Sequence, residues 1–187
     1  MNYIKVIFLG LSIFLLSGCA TLVAPSYSPS YESIDNLKKM DLGKVSVGQV
    51  EPHDPNALAN HITLRGSKLN AQEGTFALYL EKAIRSDLIE MGFFDPASST
   101  RLDAVIIKND IDISGFSKGL GTMEVKLTIH KNGSIVFEKL YSANTQFESS
   151  FAGAVAIPKG QSEYPNLVRE LLQKIYSDSA FIGAVKK

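Results

Sequence analysis

Two runs of alternating apolar and polar residues meet at Asn132-Gly133, and this restricts the chain to an antiparallel sheet. Met123, Val125, Leu127 and Ile129 alternate with Glu124, Lys126, Thr128 and His130. Asn-Gly tolerates the positive φ values of a type I′ turn, whose twist matches that of paired strands. The run from Ser134 to Phe147 therefore returns beside the first. A two-residue turn would pair Ile129 with Val136 and Val125 with Leu140, but it would also put Glu138 beside Leu127. A bulge or a longer loop would relieve that conflict. Upstream, Leu102 to Ser114 alternates as well. Val105, Ile107, Asn109, Ile111 and Ile113 face one way, and Ala104, Ile106, Lys108, Asp110 and Asp112 face the other. This predicts a strand packed on one face and wet on much of the other. Glycine-rich residues 115–121 connect it to the hairpin.

Two helices and one more strand complete the pattern. Lys44 to Val50 alternates, with Val45, Val47 and Gln49 on one side, and Pro52, Asp54 and Pro55 stop it. Residues 53–70 are ambiguous: His61 to Leu64 reads equally as a short edge strand or a polar loop. Phe76, Leu80, Ala83, Ile84, Leu88 and Met91 fall on one helical stripe. Thr75 or Asn70 is placed to cap that helix, and Gly92 suits its C′ position, with Phe93 folding back toward Leu88. Ser162 to Tyr176 forms the second helix, with Ser162 as cap, Pro165 in the first turn, and Tyr164, Leu167, Val168, Leu171, Leu172, Ile175 and Tyr176 as its apolar stripe. Asp178 is placed to cap a last short turn carrying Phe181 and Ile182. The order β-α-β-β-β-α predicts an α+β fold: an antiparallel sheet of about four strands with both helices on one face.

The N-terminal stretch concerns location rather than fold. After Lys5, residues 6–16 (VIFLGLSIFLL) are apolar except for Gly10 and Ser12. The run is too short to span a bilayer, which takes roughly 20 residues, and it fits the h-region of a secretory signal. It ends in Leu16-Ser17-Gly18-Cys19, with the only cysteine of the chain. These residues resemble the lipobox of bacterial lipoproteins. The resemblance implies cleavage between Gly18 and Cys19, a diacylglycerol thioether on Cys19 and N-acylation (palmitate), hence anchoring in a membrane. Ala20 rather than Asp follows the cysteine, which by the same resemblance favours the outer membrane and a domain facing the periplasm of a Gram-negative cell. The expected organisation is a signal peptide over 1–18, a flexible tether over 19–42 rich in Pro and Ser, and one periplasmic domain over 43–187. Without residues 1–18 the chain carries 18 basic and 19 acidic residues. That balance offers no positive excess for a phosphate backbone, so nucleic acid is not an expected partner.

No catalytic, metal or cofactor set emerges. Gly115-Phe116-Ser117-Lys118-Gly119 matches the G-x-S-x-G elbow of hydrolases, but that motif needs a strand entering and a helix leaving. Here a strand leaves, which makes the segment a hairpin loop. His53, His61 and His130 share no ligand spacing. Asp110 and Asp112 lie two apart on one strand face; a catalytic pair would need burial of one carboxyl, and this face reads as wet. The apolar, small-residue stretch Ser150 to Pro158 (SFAGAVAIP), expected to be non-helical, is the candidate partner-contact stretch, through Phe151, Val155 and Ile157. It reads either as a buried crossover under the last helix or as an exposed surface.

Together, the lipobox, the Phe-x-x-x-Leu helix ending in Gly92-Phe93, the strand trio with its Asn132-Gly133 turn and the final amphipathic helix resemble YajG-type lipoproteins. The tail from Phe151 to Leu172 is also similar to uncharacterised proteobacterial outer-membrane lipoproteins. The resemblance carries no catalytic residues. It implies a non-enzymatic, lipid-anchored binding or scaffolding lipoprotein of the cell envelope, with an envelope protein as partner. Auxiliary lipoproteins of lipid-transporting systems are similar in layout. That supplies the alternative of an accessory to lipid or lipopolysaccharide transport.

Overall fold

A computed structural model describes residues 21–187; the signal run, Gly18 and Cys19 lie outside the described residues. The larger sheet contains β2 (Ser46–Glu51), β5 (Thr100–Asp112), β6 (Lys118–Lys131) and β7 (Ser134–Glu148) in the order β2-β5-β6-β7. The three long strands are antiparallel, as their alternation predicts. β2 instead joins parallel to β5, because the chain crosses over through helix α2 (Phe76–Glu90) between them. A second sheet, β1-β4-β3, is built from β1 (Leu22–Val23), β3 (Ile62–Leu64) and β4 (Ser67–Asn70). The ambiguous segment 53–70 is therefore a short 3₁₀ turn, Leu58–Asn60, followed by a hairpin whose turn residues Arg65 and Gly66 take φ of 50° and 85°. The architecture is α+β, as expected, with a second small sheet added.

Three slips of register change which side chains face the core. At the Asn132-Gly133 turn φ is 52° and 82°, Lys131 pairs with Ser134 and His130 with Ile135. A bulge then places Ile129 opposite Phe137, Val125 opposite Tyr141 and Leu127 opposite Lys139. The conflict at Glu138 is thereby removed: Glu138 pairs with Thr128 on the outer face. In β5 the register shifts between Ile106 and Lys108. Leu102, Ala104 and Ile106 face the core before the shift, and Asn109, Ile111 and Ile113 after it, while Ile107 is 55% exposed. Strict alternation had put Ile107 with the second set. In β2 a shift between Val47 and Val50 buries Val50 and leaves Gln49 outside. Gly48 sits at this irregularity because a Cβ there would lie 2.8 Å from the Arg101 side chain.

Helices α2 and α3 (Gly153–Ser177) cover one face of the large sheet. All six expected positions of α2 and all seven of α3 are buried. The Thr75 hydroxyl accepts from the Leu78 N–H at 3.1 Å, and Gly92 has φ of 76° with the Phe93 N–H bonded to the Leu88 carbonyl. Helix α3 begins nine residues before the expected Ser162 cap. It runs through Pro158 and Pro165, which leave the Ala154 and Gln161 carbonyls without their helical donors. Gly160 marks its closest approach to the sheets, since a Cβ there would lie 2.8 Å from Ile113 Cγ2 and 3.2 Å from Leu64 Cδ2. Asp178 caps the short α4 (Ser179–Val185), accepting from the Ala180 N–H at 3.0 Å.

Residues 22–42, expected to be part of a tether, lie on the domain. β1 pairs in parallel with β4, and α1 (Tyr31–Lys38) buries Ile34 and Leu37 in the common core. Leu42 bridges to Lys186 near the C-terminus. The segment packs because its few apolar residues recur at Ile34 and Leu37, one helical turn apart, a spacing too sparse to stand out among Pro and Ser.

Candidate interaction surface

Among the described residues, the groups singled out for chemistry in the sequence lie apart. Gly115 to Ser117 forms the tip between β5 and β6, with a strand on either side, so the Ser117 hydroxyl is not on an elbow. His53 lies 3.4 Å from Glu51 and His130 lies 3.1 Å from Asp103, in separate places. Among the described residues no cluster of three His, Cys, Asp or Glu could hold a metal. Asp110 and Asp112 are exposed on the outer sheet face. The Ser114 side chain and N–H hold Asp112 below the usual carboxylate range, with the N–H at 2.7 Å. A capped strand end explains that shift without chemistry.

Residues 151–157 are partly helical and partly exposed. Phe151 is 71% exposed, Val155 is 45% exposed, and Ile157 packs against the edge of the core. Helical periodicity separates them, with Ala156 turned inward to full burial. Phe151 stacks on Phe116, which is 78% exposed, with centroids 5.6 Å apart and planes inclined by 29°. Arg65 fastens this corner. Its guanidinium donates to the carbonyls of Ile113 (3.1 Å), Ser150 (2.9 Å) and Phe151. The sequence places Phe116 in a glycine loop and Phe151 after a strand, and neither pattern signals that they meet.

A second surface is the free side of the large sheet. The outer face carries Thr122, Glu124, Lys126 and Thr128 of β6 opposite Asn144, Ser142, Leu140 and Glu138 of β7. Ile135, Val136 and Leu140 are each about half exposed or more. β7 is the last strand of the sheet, and no described strand pairs with its far edge. Edge strands are normally protected by charge or proline. From Leu140 to Phe147 (LYSANTQF) β7 itself has neither, and one charge reaches it from α3, where Lys174 Nζ donates to the Ser142 carbonyl at 3.1 Å.

Beneath the N-terminal segment lies a polar cluster the sequence did not reveal. The Tyr27 hydroxyl donates to both Asp87 oxygens, at 3.1 and 2.9 Å. Burial raises the Asp87 pKa to about 6, against the opposing effects of the Tyr27 and Tyr176 hydroxyls and the Arg169 charge. The Tyr176 hydroxyl, buried beside Asp87, forms no well-aligned hydrogen bond. The cluster leaves no room for a substrate and serves to hold α1 and its approach against α2 and α3. Nearby, between α1, α2, α4 and the sheet, an apolar cavity of about 10 Å³ is lined by Leu37, Leu88, Met91 and Phe181. That is at most one water in size.

No family model matches the chain, and no curated protein matches it. Its fold is similar to that of a solved protein from Xanthomonas campestris of the family DUF330, with TM-score 0.59 and 10% identity over 87% of this chain and 95% of the other. Lower similarity is found to a protein from Caulobacter crescentus described as a candidate lipoprotein (TM-score 0.47, 12% identity, 80% and 94% covered). A minor lipoprotein from Acinetobacter baumannii gives TM-score 0.44 and 12% identity, with 74% and 91% covered. At these identities the likeness concerns the fold alone, and it is the Xanthomonas protein that carries it.

Proposed function

We propose that this protein is a lipid-anchored, periplasm-facing binding or scaffolding lipoprotein of the cell envelope, non-catalytic and held in the outer membrane through acylated Cys19. The observation that carries the binding role is the edge of β7. Eight of its 15 residues run without charge or proline and no described strand pairs with its far edge, where Lys174 Nζ holds the Ser142 carbonyl at 3.1 Å. An extended segment of an envelope partner would add as a further strand, its backbone giving affinity and its alternate side chains meeting the outer face at Leu140 and Ser142. The anchor rests on Leu16-Ser17-Gly18-Cys19 and restricts the search for that partner to the membrane surface. Among the described residues the enclosed apolar cavity between the helices measures about 10 Å³, too small for an acyl chain, which favours this role over carriage of lipid within the fold.

Two measurements test the reading. Cys19→Ser is expected to abolish palmitate labelling and to release the protein from membranes. A variant that still sediments with outer membranes as wild type does would remove the anchor. Photocrosslinking residues at Leu140 and Asn144 are expected to trap one and the same envelope protein in cells, while Leu58, 90% exposed on the opposite side of β5, traps none of it. Equal yields from all three positions would mean that β7 is not the binding edge.

A further inference from the structure

We infer that the corner built from Phe116, Phe151 and Val155 lies against the bilayer that holds the acylated cysteine, so that the domain rests on the lipid surface in a fixed orientation. The inference rests on the anchoring reading above and adds a contact surface to it. Three residues of backbone span at most roughly 11 Å, so Cys19 stays within that distance of Leu22 whatever path the chain takes. Leu22 is not free: it pairs with Leu69, Val23 pairs with Asn70, and the Gln161 side chain bonds the Val23 carbonyl at 2.7 Å. The domain is therefore held close to the membrane rather than suspended from it.

The direction of entry selects the face. β1 runs parallel to β4, so its N-terminal end points back toward Arg65-Gly66, the turn from which β4 leaves. Arg65 is the residue bonded to the carbonyls of Ser150 and Phe151. The chain thus enters at the end of the molecule where the two exposed phenylalanines stack. Two stacked rings at 78% and 71% exposure, with Val155 on the first turn of α3, form an apolar projection that water leaves unsatisfied. An acyl-rich surface accepts such a projection at the level of the headgroups. Lys118, two positions after Phe116, bonds Gln146 at 3.2 Å, and Lys159 on the second turn of α3 pairs with Glu148 at 3.6 Å. The Asn132-Gly133 turn lies at the other end of strands of 14 and 15 residues, about 45 Å away at strand rise.

The chain contains no tryptophan, so single substitutions report position directly. The test uses the full mature chain, acylated at Cys19, in phosphatidylethanolamine–phosphatidylglycerol vesicles with bromine on the acyl chains. Phe116→Trp and Phe151→Trp are expected to show blue-shifted emission and loss of intensity to the brominated chains. Ile135→Trp, beside the distal turn, is expected to keep its emission in water. Flotation and palmitate labelling of the same samples read the anchor separately. Protein that floats while the Phe116→Trp and Phe151→Trp signals remain those of water would overturn this orientation and leave the anchor standing. Equal quenching at all three positions would overturn it too, because the domain would then have no preferred face. Protein that neither labels nor floats would remove both proposals.

Discussion

Asp87 is a carboxylate placed where a charge is costly. It lies near the end of α2, buried, with Tyr27, Tyr176 and Arg169 the polar groups around it. Burial lifts its pKa from 3.8 to about 6. Between those values the folded protein holds a proton that the unfolded chain releases, so stability falls as pH rises from about 4 to about 6 and then levels. The full effect is at most on the order of 3 kcal/mol, about 1.4 kcal/mol for each pKa unit. Asp87→Asn keeps an acceptor for Tyr27 and brings an amide that can donate to the Tyr176 hydroxyl. It is expected to flatten the slope between pH 4 and 6 and to raise stability at pH 7.5 by about 1–3 kcal/mol. Urea unfolding of the Cys19→Ser protein across that range checks it; an unchanged slope would show that another group titrates. Asp178 acts in the opposite sense. Lys139 and Tyr141 hold it at about 2, so its contribution is lost only below pH 4, as pH falls. No single sequence shows that residues 27 and 87 meet, because nothing local to either records a partner 60 positions away.

Helix α3 shows how far periodicity reads. Its stripe from Tyr164 to Tyr176 was legible because seven large apolar side chains recur at helical spacing, and all are buried. Its first nine residues were not, because Pro158, two glycines and small side chains mimic a loop, while Ala156 and Gly160 pack inward against the sheets. The strands divide in the same way. Alternation gave the three long strands and the hairpin, and the misplaced Glu138 gave the bulge after Ile129. The shift at Ile107 was hidden because isoleucine suits either face of a strand. Two substitutions separate the parts of the helix. Leu171→Ala is expected to cost about 2–5 kcal/mol by leaving a cavity under the sheet. Val155→Asp, at a position 45% exposed, is expected to change stability by no more than about 0.5 kcal/mol. If Val155→Asp unfolds the protein, the first turns of α3 are buried and residues 151–157 only close the core.

At the scale of the whole molecule, the N-terminal segment decides how the domain meets its anchor. Composition read residues 19–42 as a spacer, since Pro25, Ser26, Ser28, Pro29 and Ser30 have little to bury. Fold and anchor were then independent, joined by a flexible thread. The buried residues Ala24, Ile34, Leu37 and Leu42 make the two parts one body, and the slack between lipid and domain shrinks from more than twenty residues to those before Leu22. The difference is open to measurement. If 22–42 were a thread, Ile34→Ala would leave stability within about 0.5 kcal/mol of the parent, as at ordinary surface positions. Since Ile34 is 1% exposed between α1 and the core, truncation is expected to cost about 2–5 kcal/mol, comparable to Leu171→Ala. The two variants, 137 positions apart in sequence, should unfold in one transition with the urea dependence of the parent, because one core contains both. A small loss at Ile34, or a separate early transition, would return the segment to the role of a tether and free the domain to turn on its anchor.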